Sequence, residues 1–202
     1  MLYEGLSRIH ADAILAGSKT VKGIVLSVWH PDLVEFRIKV LGKRRHPINV
    51  ITTRRGELDI ENQLVFNNPE LEVIVLTTDS GKEKLDPKIG NRSWVHIEST
   101  GSESDLVQGF KTLKEIYGIN LISSIGGRNV ATDLINQDLI SDLYLTHTPI
   151  VRAQENTPFY LGDRKELFKR LKLVTSKKGL GPEKGVSFTH YQLVPQAGIE
   201  PA

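Results

Sequence analysis

The stretch from residue 121 to residue 149 constrains the fold more than any other part of this sequence. An apolar run that opens at Leu121 predicts a strand, and it stops at the pair Gly126-Gly127. Apolar residues then recur at helical spacing, and the final residues before Pro149 alternate as in a strand. A strand, a glycine turn, a helix and a second strand in this order are typical of α/β folds.

The glycine pair has two interpretations. Glycine lets the backbone approach a ligand closely, and the N–H groups at a helix start attract an anion. An ordinary tight turn between a strand and a helix uses the same residues, so the pair alone does not separate the two. Gly126 and Gly127 are therefore candidate ligand contacts, with a simple turn as the alternative.

Three earlier segments also predict strands that run into glycine, hydroxyl or arginine residues. These are residues 11–16 before Gly17 and Thr20, residues 47–53 before Arg54 and Arg55, and residues 72–78 with their terminal threonines. The carboxyl ends of parallel strands lie at one edge of a sheet, where such sheets bind ligands. Arg54-Arg55 alone is typical of a solvated turn, but four such strand ends together predict a site for a phosphorylated ligand.

The remaining patterns complete an α/β fold. Residues 104–117 are apolar along one helical face and predict a helix that Gly118 ends, whereas residues 79–81 predict a turn. Residues 171–174 and 186–194 predict an antiparallel pair near the end of the chain. We therefore expect a three-layer α/β sandwich with a mixed, mostly parallel central sheet and antiparallel C-terminal strands.

Length and composition predict one domain, and the absence of targeting and membrane-span patterns in the sequence predicts a cytoplasmic location. With 202 residues, 39% of them hydrophobic, we expect a single domain over residues 1–195 and a disordered tail over 196–202. The net charge of +2 argues against dedicated binding of nucleic acid or membranes. The chain has no cysteine, and its six histidines never fall at metal-ligand spacing, so no metal site is expected. It also shows no signal-peptide or membrane-span pattern.

Three motifs in order resemble the reductase domain of riboflavin biosynthesis, the RibD C-terminal domain family, which has a dihydrofolate-reductase-like fold. Residues 8–21 read R-I-H-A-D-A-I-L-A-G-S-K-T-V and resemble that family's R-A-x-x-D-A-I-x-V-G-x-x-T-V. Residues 47–54 resemble its next strand, and residues 125–149 resemble its glycine turn, helix and strand. The resemblance extends over most of the chain, from about residue 6 to residue 194.

The resemblance implies an NADPH-dependent reductase that passes a hydride to a ribosylamino-pyrimidine phosphate and so reduces its ribosyl group to ribityl. No catalytic residue is singled out, because the cofactor carries the chemistry. The resemblance assigns eight residues to the cofactor: Gly17 and Thr20 in its cleft, Thr53 and Arg54 at the adenosine 2′-phosphate, and Gly126, Gly127, Arg128 and Asn129 at the pyrophosphate. It also implies a homodimer. The apolar residues at 150–151 and 159–161 could supply the interface or instead close the monomer's core.

The sequence departs from the family pattern on the substrate side. The family's first strand, with its S-x-D-G, has no counterpart ahead of the short helix predicted at residues 3–9. Either a segment upstream of Met1 supplies this strand, which is the expectation we favour, or the chain is a truncated form of the family domain. Ile24 and Ile125 stand where the family has Asp and Glu. We therefore expect little reductase activity from the chain as written. The alternatives are a related dihydrofolate-reductase-like oxidoreductase with another substrate and a non-catalytic NADP-binding protein.

Overall fold

A computed structural model of the chain describes residues 9–22, 27–149, 169–179 and 184–194. The chain divides into two compact units, Met1–Ala131 and Thr132–Ala202. The first contains a five-stranded parallel sheet and the second a three-stranded antiparallel sheet. The α/β class, with parallel strands first and antiparallel strands near the C-terminus, is therefore confirmed. The antiparallel strands form a sheet of their own.

The parallel sheet is built from strands that the apolar runs predicted. Its strands are β1 Ala13–Gly17, β2 Ile48–Thr53, β3 Val73–Thr77, β4 Val95–Ser99 and β5 Ile122–Ser124. Their order across the sheet is β4-β3-β2-β1-β5. β1 is thus an inner strand, and its Ala13 pairs with Ile48 on one side and Ile122 on the other.

Helices connect these strands. Helix α1 is Pro31–Glu35, which continues into a π-helical turn at Phe36–Val40, and α2 is Asp79–Ile89. Helix α3 is Leu106–Tyr117 and ends at Gly118 as predicted, and α4 is Arg128–Asn136. The turn predicted at residues 79–81 is wrong, because these residues open α2. Thr78 caps this helix, since its side chain accepts a hydrogen bond from the Gly81 N–H.

Helices α2 and α3 cover opposite faces of the parallel sheet. Ile51 and Val75 are paired in register on one face, and Leu85 of α2 joins their apolar cluster. On the other face, Leu76 packs against α3 so closely that a Cβ at Gly109 would lie 3.0 Å from its side chain. The side chains on both faces are buried, as in other parallel sheets. Within the first unit the helices and the sheet thus form the three expected layers.

The second unit contains the antiparallel sheet. Its strands are β6 Asp142–His147, β7 Leu171–Lys178 and β8 Ser187–Leu193, in the order β6-β8-β7. A small apolar cluster holds it together and consists of Ile135, Ile140, Leu143, Leu171 and Leu193. The predicted C-terminal strand pair is confirmed. The predictions for residues 3–8, Ile24, residues 150–151, residues 159–161 and the tail fall outside the described residues.

Two further features concern the described part of the chain only. None of its helices has the length and apolar character needed to cross a bilayer. Its histidine, aspartate and glutamate side chains form no cluster of three or more that could hold a metal ion.

Candidate functional site

In the parallel sheet, the strands that follow β1 in the chain lie on both sides of it, so β1 is the point at which the strand order reverses. β2, β3 and β4 follow outward on one side of it, and the chain then returns through α3 to place β5 on the other side. Open α/β sheets bind ligands at the carboxyl ends of their strands near such a switch point. The candidate site is therefore the carboxyl edge of β5, β1 and β2.

Backbone contacts hold these three strand ends side by side. The Ser18 N–H, just after β1, donates to the Thr52 carbonyl of β2 at 3.1 Å. On the other side, the Ile125 N–H, just after β5, donates to the Leu15 carbonyl at 3.0 Å. All eight predicted cofactor residues follow or end one of these three strands. The edge thus brings their backbone segments together, while their roles stay predictions.

The two glycines of the Gly126-Gly127 pair differ in their surroundings. A Cβ at Gly126 would lie 2.5 Å from the Cβ of Val130 in the first turn of α4. A Cβ at Gly17 would lie 3.0 Å from Cγ2 of the same valine. Around the Cβ position of Gly127, in contrast, no atom of the described residues lies within 4 Å. Gly126 and Gly17 thus allow the helix start to pack on the strand ends, whereas Gly127 is exposed and makes no such contact with the described residues.

The start of α4 has the chemistry of an anion site. Arg128 and Asn129 are the first two residues of the helix and are exposed. The Ala131 N–H donates to the Gly127 carbonyl at 3.1 Å, so the helical hydrogen bonds begin at Gly127. The N–H groups ahead of Ala131 have no partner within the helix and attract negative charge. The first turn carries no acidic side chain that would satisfy this attraction.

At the end of β2, the threonine that caps α2 fixes the position of Arg54. Thr53 is buried and Arg54 is exposed. The Thr78 hydroxyl donates to the Arg54 carbonyl at 2.8 Å while it caps α2. The backbone of Arg54 is therefore tied to the start of α2, and its side chain is exposed.

A cavity of about 490 Å³ adjoins the end of β2, and sequence reasoning missed most of its residues. Four cationic side chains line it: Lys22 after β1, Arg55 after β2, and Lys84 and Lys88 on α2. Only Arg55 was singled out from the sequence, because it follows a strand. Lys22 is far from the other two lysines in the chain, and Lys84 and Lys88 lie on a helix whose first residues, 79–81, were predicted as a turn.

At the opposite edge of the sheet, Asp12 holds β1 to β5. Its carboxylate accepts hydrogen bonds from the N–H groups of Asn120 at 3.0 Å and Leu121 at 2.8 Å, and it pairs with Lys43. Burial alone would raise the pKa of Asp12, but Lys43 and the two N–H groups outweigh burial and lower it. This anchor sets the alignment of the two strands whose other ends frame the site.

The sequence profile of the RibD C-terminal domain matches residues 5–180. The chain belongs to the RibD C-terminal domain family. It is thus an oxidoreductase of the riboflavin-biosynthesis type, as its motifs predicted. The 2,5-diamino-6-ribosylamino-4(3H)-pyrimidinone 5′-phosphate reductase of Aquifex aeolicus is similar, with 26% identity over 180 residues. The match covers 84% of this chain and 71% of that relative.

Solved structures share the fold of this RibD C-terminal domain protein. A pyrimidine reductase-like protein from Corynebacterium diphtheriae has a TM-score of 0.72 at 20% identity, and the match covers 93% of this chain and 79% of that one. The riboflavin biosynthesis reductase of Saccharomyces cerevisiae has a TM-score of 0.66 at 18% identity, covering 93% and 77%. For RibD of Acinetobacter baumannii the TM-score is 0.62 at 19% identity, covering 91% and 47%. These similarities confirm the dihydrofolate-reductase-like fold.

Proposed function

We propose that this chain is a cytoplasmic, NADPH-dependent reductase that converts the ribosyl group of a ribosylamino-pyrimidine 5′-phosphate to ribityl. The observation that carries the proposal is the start of α4. It presents Arg128 and N–H groups that have no partner within the helix at the switch point of the sheet, beside a glycine whose Cβ position has no atom of the described residues within 4 Å. The Aquifex relative is named as a reductase of a ribosylamino-pyrimidinone 5′-phosphate, which supports the choice of substrate.

The residues at the carboxyl edge fit a phosphorylated dinucleotide. The open surface at Gly127 and the uncompensated helix end suit a pyrophosphate, which carries negative charge and needs close backbone approach. We assign Thr53 and Arg54 to the adenosine 2′-phosphate, because a guanidinium pairs with a phosphate through two parallel hydrogen bonds. Gly17 and Thr20 line the same edge from β1. When bound, the nicotinamide supplies the hydride, and the chain's own residues bind and orient it.

Cofactor titrations test the proposed phosphate contact. Replacing Arg54 by Ala should weaken NADPH binding roughly tenfold or more, because a charge-assisted hydrogen bond contributes about 1.5–3 kcal/mol. NADH lacks the phosphate, so its affinity should change little. The matched control is Arg45→Ala, which removes an exposed arginine that precedes β2 at the opposite edge of the sheet. Equal affinity of the unaltered chain for the two cofactors would contradict NADPH preference.

Turnover assays distinguish the proposed reductase from the two alternatives, a non-catalytic NADP-binding protein and a related oxidoreductase with another substrate. NADPH oxidation that requires the ribosylamino-pyrimidine 5′-phosphate supports the proposal. NADPH binding without oxidation of the cofactor would indicate a non-catalytic NADP-binding protein. Oxidation with a pterin substrate but not with the pyrimidine would indicate a related oxidoreductase of different specificity.

We also propose a twofold homodimer, which the resemblance to the family implies. Light scattering at micromolar concentration should give twice the mass of the 22.6 kDa chain. A monomer mass over the whole accessible concentration range would rule the dimer out.

A further inference from the structure

A second cavity lies at the amino ends of β2, β3 and β4, at the edge of the parallel sheet opposite to the candidate site. Its volume is about 580 Å³, which is within the range of small-molecule sites. Ile48 opens β2, Glu72 directly precedes β3, and Trp94 directly precedes β4. Strands of five or six residues separate the two edges by roughly 17–20 Å. The cavity is therefore distinct from the site of the proposed reductase.

His46 lies in the wall of this cavity and is almost fully buried, with 4% of its side chain exposed. Its ring packs on Trp29, and the two ring centroids are 4.5 Å apart. Burial, and then the charge of Arg45, lower the pKa of His46. Glu70 and the Val28 backbone raise this pKa but do not offset the lowering. The imidazole is therefore neutral at pH 7 and carries one nitrogen that can accept a hydrogen bond.

Nε2 of His46 has no hydrogen-bond partner among the described residues. The Glu70 carboxylate lies 3.8 Å from it, which is too long for a hydrogen bond. Two hydrogen bonds of about 2.9 Å that meet at one tetrahedral nitrogen join atoms roughly 4–5 Å apart. Because the Glu70 side chain is exposed and can turn slightly outward, an ammonium group fits between its carboxylate and Nε2.

Arg45 and Glu70 bring opposite charges to this cavity that the fold leaves uncompensated. Within the described residues Arg45 forms no ion pair, and the contact of Glu70 is with the neutral His46. Arg44 and Glu72, in contrast, pair with each other. A purely anionic ligand would be repelled by Glu70, and a purely cationic one by Arg45. A ligand with one carboxylate and one ammonium group matches both charges.

The cavity also has an apolar wall, which Ile48, Pro69 and Trp94 form. The indole N–H of Trp94 donates to the Phe66 carbonyl at 3.0 Å, so the polar atom of this ring is already paired. The partly buried ring therefore offers only apolar surface to a ligand. Covering that surface favours a ligand with an aliphatic or aromatic group.

We propose that this cavity binds a free α-amino acid with a bulky apolar side chain. Arg45 pairs with its carboxylate, and its ammonium group donates to Glu70 and to Nε2 of His46. Its side chain packs against Trp94 and Pro69. The site rests on the cavity and its charges and does not depend on the proposed function.

Calorimetric titration with L-phenylalanine and two analogues tests the site, in the absence of NADPH. Phenylpropionate lacks the ammonium group, and phenethylamine lacks the carboxylate. The test variant is Glu70→Gln, which removes the charge that faces the ammonium group and keeps the shape of the side chain. The matched control is Glu61→Gln, because Glu61 is also exposed and lies between β2 and β3 but does not line the cavity. Thermal melting of each protein confirms that it is folded.

We expect phenylalanine to bind about tenfold or more tightly than either analogue, because each analogue loses charge-assisted hydrogen bonds. Glu70→Gln should lower the preference for phenylalanine over phenylpropionate roughly tenfold, and the control should keep it. If phenylalanine does not bind at millimolar concentration, or if the folded Glu70→Gln variant binds it as the unaltered chain does, the site is wrong. Equal affinity of the unaltered chain for phenylalanine and phenylpropionate would overturn the assignment to an amino acid.

Discussion

Gly56 and Gly81 are packed backbone against backbone, so that a Cβ on Gly56 would lie 2.5 Å from the Gly81 carbonyl oxygen. This contact joins the loop after β2 to the first turn of α2. Thr78 reinforces it, because its hydroxyl bridges the Arg54 carbonyl and the Gly81 N–H. The position of the two arginines after β2 thus depends on how closely two glycines approach.

Replacing Gly56 by Ala should destabilise the protein far more than the same change at Gly42. Both glycines have left-handed φ angles, +64° and +62°, so both variants incur a strain of roughly 1–2 kcal/mol. Only Gly56 also lacks room for a Cβ, since no atom lies within 4 Å of the Cβ position of Gly42 in the described residues. Overpacking adds about 1–3 kcal/mol at Gly56. Urea unfolding measures both variants, and equal losses would contradict the packing argument.

Thr78→Ala should lower the free energy of unfolding by about 1–2 kcal/mol, because it removes the N-cap of α2. The Arg54 carbonyl loses its donor in the same variant. Thr78→Ser keeps the hydroxyl and is the matched control, which should retain most of the stability. A serine variant as unstable as the alanine variant would show that the methyl group, and not the hydroxyl, is what matters.

The centre of the parallel sheet could be predicted from the sequence because β1, β2 and β3 are apolar runs that are almost fully buried. Helix α2 could not, because Asp79, Ser80 and Gly81 favour both turns and helix starts, and only the Thr78 contact decides between them. The grouping of the strand ends was also predictable, since parallel strands carry their carboxyl ends to one edge of a sheet. The lysine cavity was not, because its members meet only once α2 lies beside the loop after β2.

The glycine pair shows where the sequence left two interpretations and the structure divides them. Gly126 packs against Val130, which accounts for it as part of a tight turn. Gly127 has no such contact within the described residues, so packing does not account for it, while the predicted cofactor roles of both glycines stay predictions. Sequence spacing could not distinguish adjacent glycines, because the difference depends on the direction in which each Cβ would point.

Asp12→Asn should destabilise the protein by about 1–3 kcal/mol at pH 7, since it weakens the hydrogen bonds to Asn120 and Leu121 and the ion pair with Lys43. The pKa of Asp12 is lowered by folding, so its stabilising effect is complete above the unfolded pKa of about 3.9 and is lost as pH falls through the folded pKa. The stability difference between the two proteins should therefore shrink below about pH 4.

Urea unfolding of both proteins between pH 3 and pH 7 measures this difference. Glu103→Gln is the control, because Glu103 is exposed and its side chain has no hydrogen bond or ion pair among the described residues. The control should match the unaltered chain at every pH. A difference for Asp12→Asn that stays constant down to pH 3 would mean that the charge of Asp12 does not stabilise the fold.

The last prediction compares Gly126→Ala with Gly127→Ala. The first should lower the free energy of unfolding by about 1–3 kcal/mol, because the new Cβ would lie 2.5 Å from Val130 Cβ and force α4 to shift. The second should stay within about 0.5 kcal/mol of the unaltered chain, since its Cβ meets no atom of the described residues within 4 Å and its φ is not in the left-handed region.

NADPH affinity then separates a ligand contact from a turn. We expect Gly127→Ala to bind NADPH roughly tenfold more weakly although its stability is unchanged, because a Cβ there blocks close approach of the pyrophosphate to the start of α4. Since the new Cβ meets no atom of the described residues, a loss of affinity at unchanged stability indicates a contact with the ligand. Fluorescence titration measures the affinity and urea unfolding the stability of the same preparations. Unchanged NADPH affinity in this variant would mean that Gly127 serves only the turn and that the pyrophosphate does not bind at the start of α4.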